Sequence, residues 1–280
     1  MSRVGILVVS QPSKLVKGVR FSYSAPIYFE GRMKKIAVIG KGTGGALSAA
    51  HFFRFTDWEL DWYFDPKTPT QAVGEGSNLV MPRYLWDYFN FSHVDLKHVD
   101  GSFKSGIYKE GWGKTGNEFF HDFPPPNISY HFNALAFQDY IFKKITKHNK
   151  VKIIEKNVSH EDIDADYIID CSGKPKNMDH LSVPQFIPVN SVYVTQCYWD
   201  HAQFQHTLTI AKEHGWVFGI PLAKRCSIGY LYNNNISTLE EVKEDVKEIF
   251  ERYNLTPSDK TNSFSFGNYY RKENFKQNIC

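Results

Sequence analysis

Three groups of residues in this 280-residue chain have the types and spacing of a ligand site. The first is Gly40-Lys-Gly-Thr-Gly-Gly45, in which Gly40, Gly42 and Gly45 keep the G-x-G-x-x-G interval. The first glycine permits a tight turn, the second lets backbone approach a pyrophosphate, and the third lets helix pack on strand. Thr43 and Gly44 open the helix that follows, whose free N–H groups and positive dipole end favour phosphate. Asp65 lies 25 positions after Gly40, near the interval at which a carboxylate accepts from a ribose hydroxyl. The second group is Val73-Gly-Glu-Gly-Ser77. Gly74 and Gly76 flank Glu75, and Ser77 closes a permissive, hydrogen-bonding loop. The third is Asp166-Tyr-Ile-Ile-Asp-Cys-Ser-Gly173, an apolar run that empties at Asp170 into a small-residue turn ending at Gly173.

The elements around these groups read as an α/β fold with a Rossmann-like, dinucleotide-binding sheet. Ile36–Ile39 is a β-branched run suited to a buried parallel strand. A helix over about Gly44–Phe55 follows, then a strand over Leu60–Phe64 with Asp65 at its end. Strand, glycines, helix, strand and acid in that order read as dinucleotide binding. Pro82–Phe89 reads as a helix, Asp100–Tyr108 as a strand that starts in a turn, and Phe119–Tyr130 as a Pro-rich loop. Phe132–Lys147 has helical periodicity with apolar positions at Phe132, Leu135, Ala136, Tyr140, Ile141 and Ile145. Val151–Glu155 and Tyr167–Asp170 read as further strands. Val192–Trp199, Thr207–Ala211, Trp216–Leu222 and Cys226–Tyr232 are separated by short polar turns, the pattern of an added antiparallel sheet. A charged helix, Thr238–Tyr253, ends the series. The domains expected are a dinucleotide-binding module over 33–186, with a helical and loop insertion over 78–150, and a sheet region over 187–280. Residues 1–32 read as an extension, disordered or misassigned ahead of Met33, or as an added edge strand over Arg20–Phe29.

Composition narrows the function class. A formal charge of +3 from 33 basic and 30 acidic residues is too small and scattered for nucleic acid. The cysteines, at 171, 197, 226 and 280, form no C-x-x-C pair, so neither a zinc site nor a disulfide framework is expected and a reducing cytoplasm is the default. No run has the length of a membrane span.

In order along the chain, Gly40–Gly45, Val73–Ser77, Gly101-Ser-Phe-Lys-Ser-Gly-Ile107, Asp166–Gly173 and Gly215-Trp-Val-Phe-Gly-Ile-Pro-Leu222 with Ser227-Ile-Gly-Tyr230 resemble the flavin-dependent tryptophan halogenases. The resemblance implies FAD on a Rossmann-like FAD-binding sheet of the glutathione-reductase or monooxygenase type, with 33–186 as the FAD-binding module and 187–280 on the substrate side. It also implies a separate flavin reductase that docks transiently and reduces the FAD, and a halide as co-substrate. Oxygen and reduced flavin give a hydroperoxide that the halide attacks, and hypohalous acid then reaches a lysine beside the substrate. By match to the Gly-x-Phe-Lys motif that lysine is Lys104, which would hold hypohalous acid or form a haloamine and aim halogen at an electron-rich ring such as tryptophan or indole. A buried ammonium suits this work because it is a compact donor whose pKa falls readily. The Gly-Glu-Gly-Ser loop would be the strap between flavin and substrate sites. Trp216, Phe218 and Pro221 would separate substrate from flavin.

Departures from the family pattern bear on that expectation. Phe218 stands where relatives carry a second Trp, the segment between Val151 and Asp166 is short, and no proline closely follows Ser77. In relatives a Leu-Glu-Pro-Leu-Glu-Ser-Thr-Gly segment follows, with the second glutamate at the substrate and backbone that holds halide. The sequence therefore reads as the N-terminal part of a halogenase. The alternatives are a flavin monooxygenase of the same fold and a non-catalytic FAD-binding remnant. An NAD-linked dehydrogenase fits less well, because the second half holds no hydride-transfer site. The oligomeric state is left open, with a homodimer among the options.

Overall fold

The computed structural model describes residues 34–280 except 73–74, 115–117, 174–180, 272, 274 and 276–277. The expectations for residues 1–32 and for Gly74 lie outside the described residues. The chain opens with β1 (Lys35–Ile39), α1 (Thr43–Phe55) and β2 (Glu59–Phe64). Then come α2 (Met81–Phe89), a 3₁₀ turn over His93–His98, β3 (Ser102–Lys104), β4 (Gly106–Glu110), β5 (Phe119–Asp122) and β6 (Ser129–His131). Next are α3 (Ala134–Ile145), β7 (Val151–Glu155), β8 (Tyr167–Asp170) and β9 (Leu181–Ser182). The last part holds β10 (Ser191–Tyr198), β11 (Thr207–Lys212), β12 (Gly215–Pro221), β13 (Cys226–Tyr232), α4 (Leu239–Asp245), α5 (Lys247–Arg252), β14 (Thr256–Ser265) and β15 (Tyr270–Arg271).

One sheet is parallel, in the order β7-β2-β1-β8. Numbered along the chain, its strands run 3-2-1-4, the order of a mononucleotide-binding half. β1 is buried on both faces, which is why it reads as an unbroken apolar run. Ile36 and Val38 meet Ala46, Ala49 and Ala50 of α1 and Phe137 and Ile141 of α3, while Ala37 and Ile39 meet Ile163 and Ile168. The three alanines keep α1 close to the sheet. Asn278–Cys280 run parallel to β8 on its free side, with Ile168 N donating to Asn278 O and Asp170 N to Cys280 O.

The second sheet has the order β14-β10-β13-β12-β11-β4-β5. Its four central strands are the expected antiparallel set, but the sheet is mixed, because β11 pairs in parallel with β4. Other sequence expectations also shift. The Asp100–Tyr108 strand breaks at Ser105, so β3 pairs with β6 while β4 joins the large sheet. Both ends of the Pro-rich segment are strands, β5 and β6. In α3, Leu135 is exposed, and Phe137 and Gln138 point inward instead. The helix starts at the Asn133 cap, whose side chain accepts from Leu135 and Ala136 N, and that start fixes the buried face. The Thr238–Tyr253 helix divides at Val246, although Val242, Val246 and Ile249 share one buried stripe. β14 has no apolar alternation because it is a solvent-exposed edge strand, so its sequence carries no strand signal. Among the described residues, no helix is long and apolar enough to cross a membrane.

Candidate functional site

The glycine turn behaves as its spacing demands. Gly40 has φ +102°, and a Cβ there would lie 2.3 Å from the Cys171 carbonyl oxygen. A Cβ on Gly45 would sit 1.9 Å from the Gly40 carbonyl oxygen. Gly42 is the opposite case: it caps α1 without any side-chain hydrogen bond, and the place of its missing Cβ is open space. The uncapped amides of a thirteen-residue helix and an empty approach over Gly42 fit a pyrophosphate. Thr43 Oγ1 accepts from Gln138 Nε2 at 3.1 Å, which leaves its own proton to donate. Gly44 faces Cys171 Sγ.

The second strand's acid and the second turn lie beside this cradle. Gly40 N donates to Tyr63 O, Trp62 Nε1 donates to Gly40 O, and Cys171 N donates to Ile39 O. The structure thus brings the Asp170–Gly173 turn against the Gly40 turn. Asp65 organises its own turn by accepting from Lys67 N and Thr68 Oγ1. Burial pushes the Asp170 carboxyl up, but hydrogen bonds from Ser172 and His160 hold it below its ordinary value. Gly173 has φ +96°.

The strap meets β6 through an isolated antiparallel bridge between Gly76 and His131. Ser77 N donates to Tyr130 O, Phe132 N to Glu75 O, and Gly76 faces His131. Ser77 Oγ is spent inside the protein, on Ser129 Oγ and the Tyr130 carbonyl. Glu75 is buried and accepts from Arg225 Nη2 at 2.9 Å, Ser227 Oγ at 2.6 Å and Ala134 N at 3.4 Å. Arg225 also donates to Gln196 Oε1 and Ser227 Oγ. Asp100 faces the same group, with Oδ1 buried and without a partner among the described residues. Burial raises its pKa against the pull of Arg225 and Lys224.

Lys104 is at the end of β3 and only 7% exposed. Its Nζ crosses over β6 to donate to Ser77 O at 3.0 Å and lies 5.7 Å from the centre of the Phe123 ring. Burial lowers its pKa. His131, fully buried beside it, is pushed down to about 3 by burial and by the Lys104 charge. The Pro221 carbonyl accepts from Ser102 Oγ at 2.6 Å and so joins β12 to the Lys104 strand. Trp216 and Phe218 share one face of β12 with their rings 6.2 Å apart, and Trp112 meets Trp216 at 5.9 Å. Pro221 falls on the opposite face by strand alternation, so the three expected partition residues do not share one surface. Among the described residues, no His, Cys, Asp and Glu cluster could hold a metal ion.

The family described as tryptophan halogenase matches residues 35–159 and 125–280, which together span the whole described chain apart from its first residue. This chain belongs to that family. It is 26% identical over 158 residues to the tryptophan 7-halogenase RebH of Lentzea aerocolonigenes, a match over 47% of this chain and 29% of RebH. The fold is shared with a flavin-dependent halogenase from Xanthomonas campestris, at TM-score 0.75 and 15% identity over 88% of this chain and 64% of that one. A tryptophan halogenase from Shewanella frigidimarina superposes at TM-score 0.71 and 18% identity, over 88% and 65% of the two chains. The chain thus spans less than a third of its curated relative and just under two thirds of these solved neighbours.

Sequence reasoning missed Arg225, His131, Gln138 and Thr207, whose Oγ1 lies 2.9 Å from His131 Nε2, and it gave Ser227 no role beyond its place in the Ser227–Tyr230 motif. Arg225 falls in the polar turn ahead of the Cys226–Tyr232 strand, and Ser227 lies inside that strand. His131 falls between the Pro-rich loop and the helix read from Phe132, and Gln138 is not among that helix's apolar positions. A buried His or Gln inside an apolar run is the available signal, because such groups need partners.

Proposed function

We propose that this chain provides the flavin-binding and halogen-delivering part of a flavin-dependent halogenase that acts on an electron-rich aromatic ring such as an indole. The observation that carries the reading is the Lys104 amine, desolvated at the strand end yet adjoining the exposed backbone of Gly76. Reduced FAD, with oxygen and halide, supplies the oxidised halogen when bound. The α1 amides and the Thr43 hydroxyl would hold its pyrophosphate, with Asp65 at a ribose hydroxyl and the Asp170–Gly173 turn beside the cradle. Glu75, locked by Arg225 and Ser227, sets the strap, and the strap's Ser77 carbonyl orients the Lys104 amine. Burial makes this amine less basic than a surface lysine, so it gives up its proton more readily and can hold or take halogen. Trp216 and Phe218 would shield the flavin side. The reductant comes from a transient flavin reductase, in the cytoplasm.

The test is Lys104→Ala against the unaltered chain, with FAD, a flavin reductase, bromide or chloride, and tryptophan and indole as substrates. Halide-dependent product that disappears in the variant, with FAD still bound, supports the reading. Hydroxylated product formed without halide would instead make this a monooxygenase, and FAD binding without any product would make it a non-catalytic flavin protein.

A further inference from the structure

The G-x-G-x-x-G interval leaves position 41 of the glycine turn unspecified, and a lysine fills it. The side chains on either side of Gly42 are both held by one face of α3. Thr43 Oγ1 accepts from Gln138 Nε2 at 3.1 Å, and the Lys41 ammonium lies 4.1 Å from the centre of the Phe142 ring. Gln138 and Phe142 are four positions apart on α3 and so project side by side. The place of the missing Cβ on Gly42 is open space. The opening in the turn is therefore flanked in sequence by a hydroxyl and by a full positive charge.

A second ring fixes the direction in which Lys41 leans. Its Nζ lies 4.9 Å from the centre of the ring of Phe64, the last residue of β2 and the neighbour of Asp65. The ammonium thus stands on the β2 side of the turn, towards the acid assigned to a ribose hydroxyl. Ring faces attract a cation and hold its position without neutralising it. Among the described residues Lys41 makes no ion pair and no hydrogen bond, so its N–H donors are unspent. Asp65 turns its two oxygens to Lys67 N and Thr68 Oγ1 instead. A lysine without an acidic partner ordinarily extends into water, yet Lys41 is half-buried against two rings. The group this place lacks is an anion.

We propose that Lys41 pairs with the adenosine-side phosphate of the dinucleotide, the phosphate next to the ribose that Asp65 would hold. The proposal rests on the flavin reading and adds to it a residue that the glycine motif does not require. Charge explains the need. Each phosphate of a pyrophosphate carries a negative charge, whereas the end of a helix offers only about half a positive charge, spread over its first amides. Lys41 would supply the larger share of the neutralising charge, the α1 amides the direction, and Asp65 the contact to the sugar. Phe142 and Phe64 hold the ammonium in place before the ligand arrives, so less side-chain freedom is lost on binding.

The experiment measures equilibrium binding to the 280-residue chain, directly for FAD by its fluorescence and by competition against FAD for ADP, AMP and adenosine. Lys41→Met keeps an apolar stem over the rings and removes the charge, while Lys41→Arg keeps the charge on a group that stacks on aromatic faces. Lys41→Met should bind FAD, ADP and AMP about tenfold more weakly, the size of one charge-assisted hydrogen bond, and adenosine as well as the unaltered chain does. Lys41→Arg should stay within about threefold for all four. Added salt should weaken FAD binding more steeply in the unaltered chain than in Lys41→Met. Thermal melts establish that each variant is folded, and Lys41→Gln serves the same comparison if the methionine variant unfolds. Unchanged binding of ADP and AMP on loss of the charge overturns the inference. An equal loss for adenosine also overturns it, since Lys41 would then support the adenosine pocket and not a phosphate. An unaltered chain that binds neither FAD nor ADP overturns the flavin reading and the inference with it.

Discussion

Arg225→Met is the substitution whose cost the structure defines best. The guanidinium is 15% exposed and its partner carboxylate on Glu75 is 6% exposed. Removing it leaves Glu75 with the Ser227 hydroxyl and a 3.4 Å contact to Ala134 N, and leaves Asp100 Oδ1 buried beside an uncompensated neighbour. Breaking a buried pair from one side costs about 3–5 kcal/mol. The residual exposure of Arg225 places the expected loss near the low end, about 3 kcal/mol. In a unit of this size that corresponds to a fall in melting temperature of about 6–12 °C. Urea denaturation of the single variant and of Glu75→Gln with Arg225→Met provides the assay. Removing both charges should recover all but about 1 kcal/mol, since a pair without charges needs no counter-ion. A single variant that loses less than about 1 kcal/mol, or a double variant no better than the single, would refute the claim that this ion pair locks the strap.

Two further predictions concern His131 and the glycine turn. His131 has a native pKa of about 3 against an ordinary 6.5, so the unfolded chain binds its proton first as pH falls. Its neutral burial therefore stabilises fully above about pH 6.5, and stability drains away as pH drops toward the native value, by about 2 kcal/mol between pH 6.5 and pH 5. His131→Gln should flatten that part of the stability–pH curve in urea titrations, and an unchanged slope would count against a neutral buried imidazole. Gly42→Ala and Gly45→Ala should separate binding from folding. The first places a methyl in open space, leaving the melting temperature nearly unchanged while FAD affinity falls in equilibrium dialysis. The second drives a Cβ into the Gly40 carbonyl and should unfold the turn.

The parallel half was legible because burial on both faces and the glycine interval leave few alternatives. Ile36–Ile39, the glycines and Tyr167–Asp170 read directly as strand, turn and strand. Lys104 was legible only through resemblance to a family, since a single lysine in a three-residue strand carries no local signal of burial. What the sequence hid depends on long-range register. The break at Ser105 sends two adjacent strands to different sheets, and the parallel pairing of β11 with β4 delivers Thr207 to a lysine 103 residues earlier in the chain. The salt bridge between Glu75 and Arg225 spans 150 residues. Neither pairing leaves a periodicity that the sequence could show. β14 was hidden for another reason, because an exposed polar edge strand has nothing to alternate.

Strand pairing buries the Lys104 amine beside Gly76 and makes it less basic than a surface lysine. Titration of the lysine side-chain nitrogens by NMR, with Lys104→Met to assign the resonance, measures this directly. Among the lysines that titrate below the ordinary value of 10.5, which include Lys150, one signal should be lost in the variant. A Lys104 resonance that titrates together with the surface lysines would contradict it.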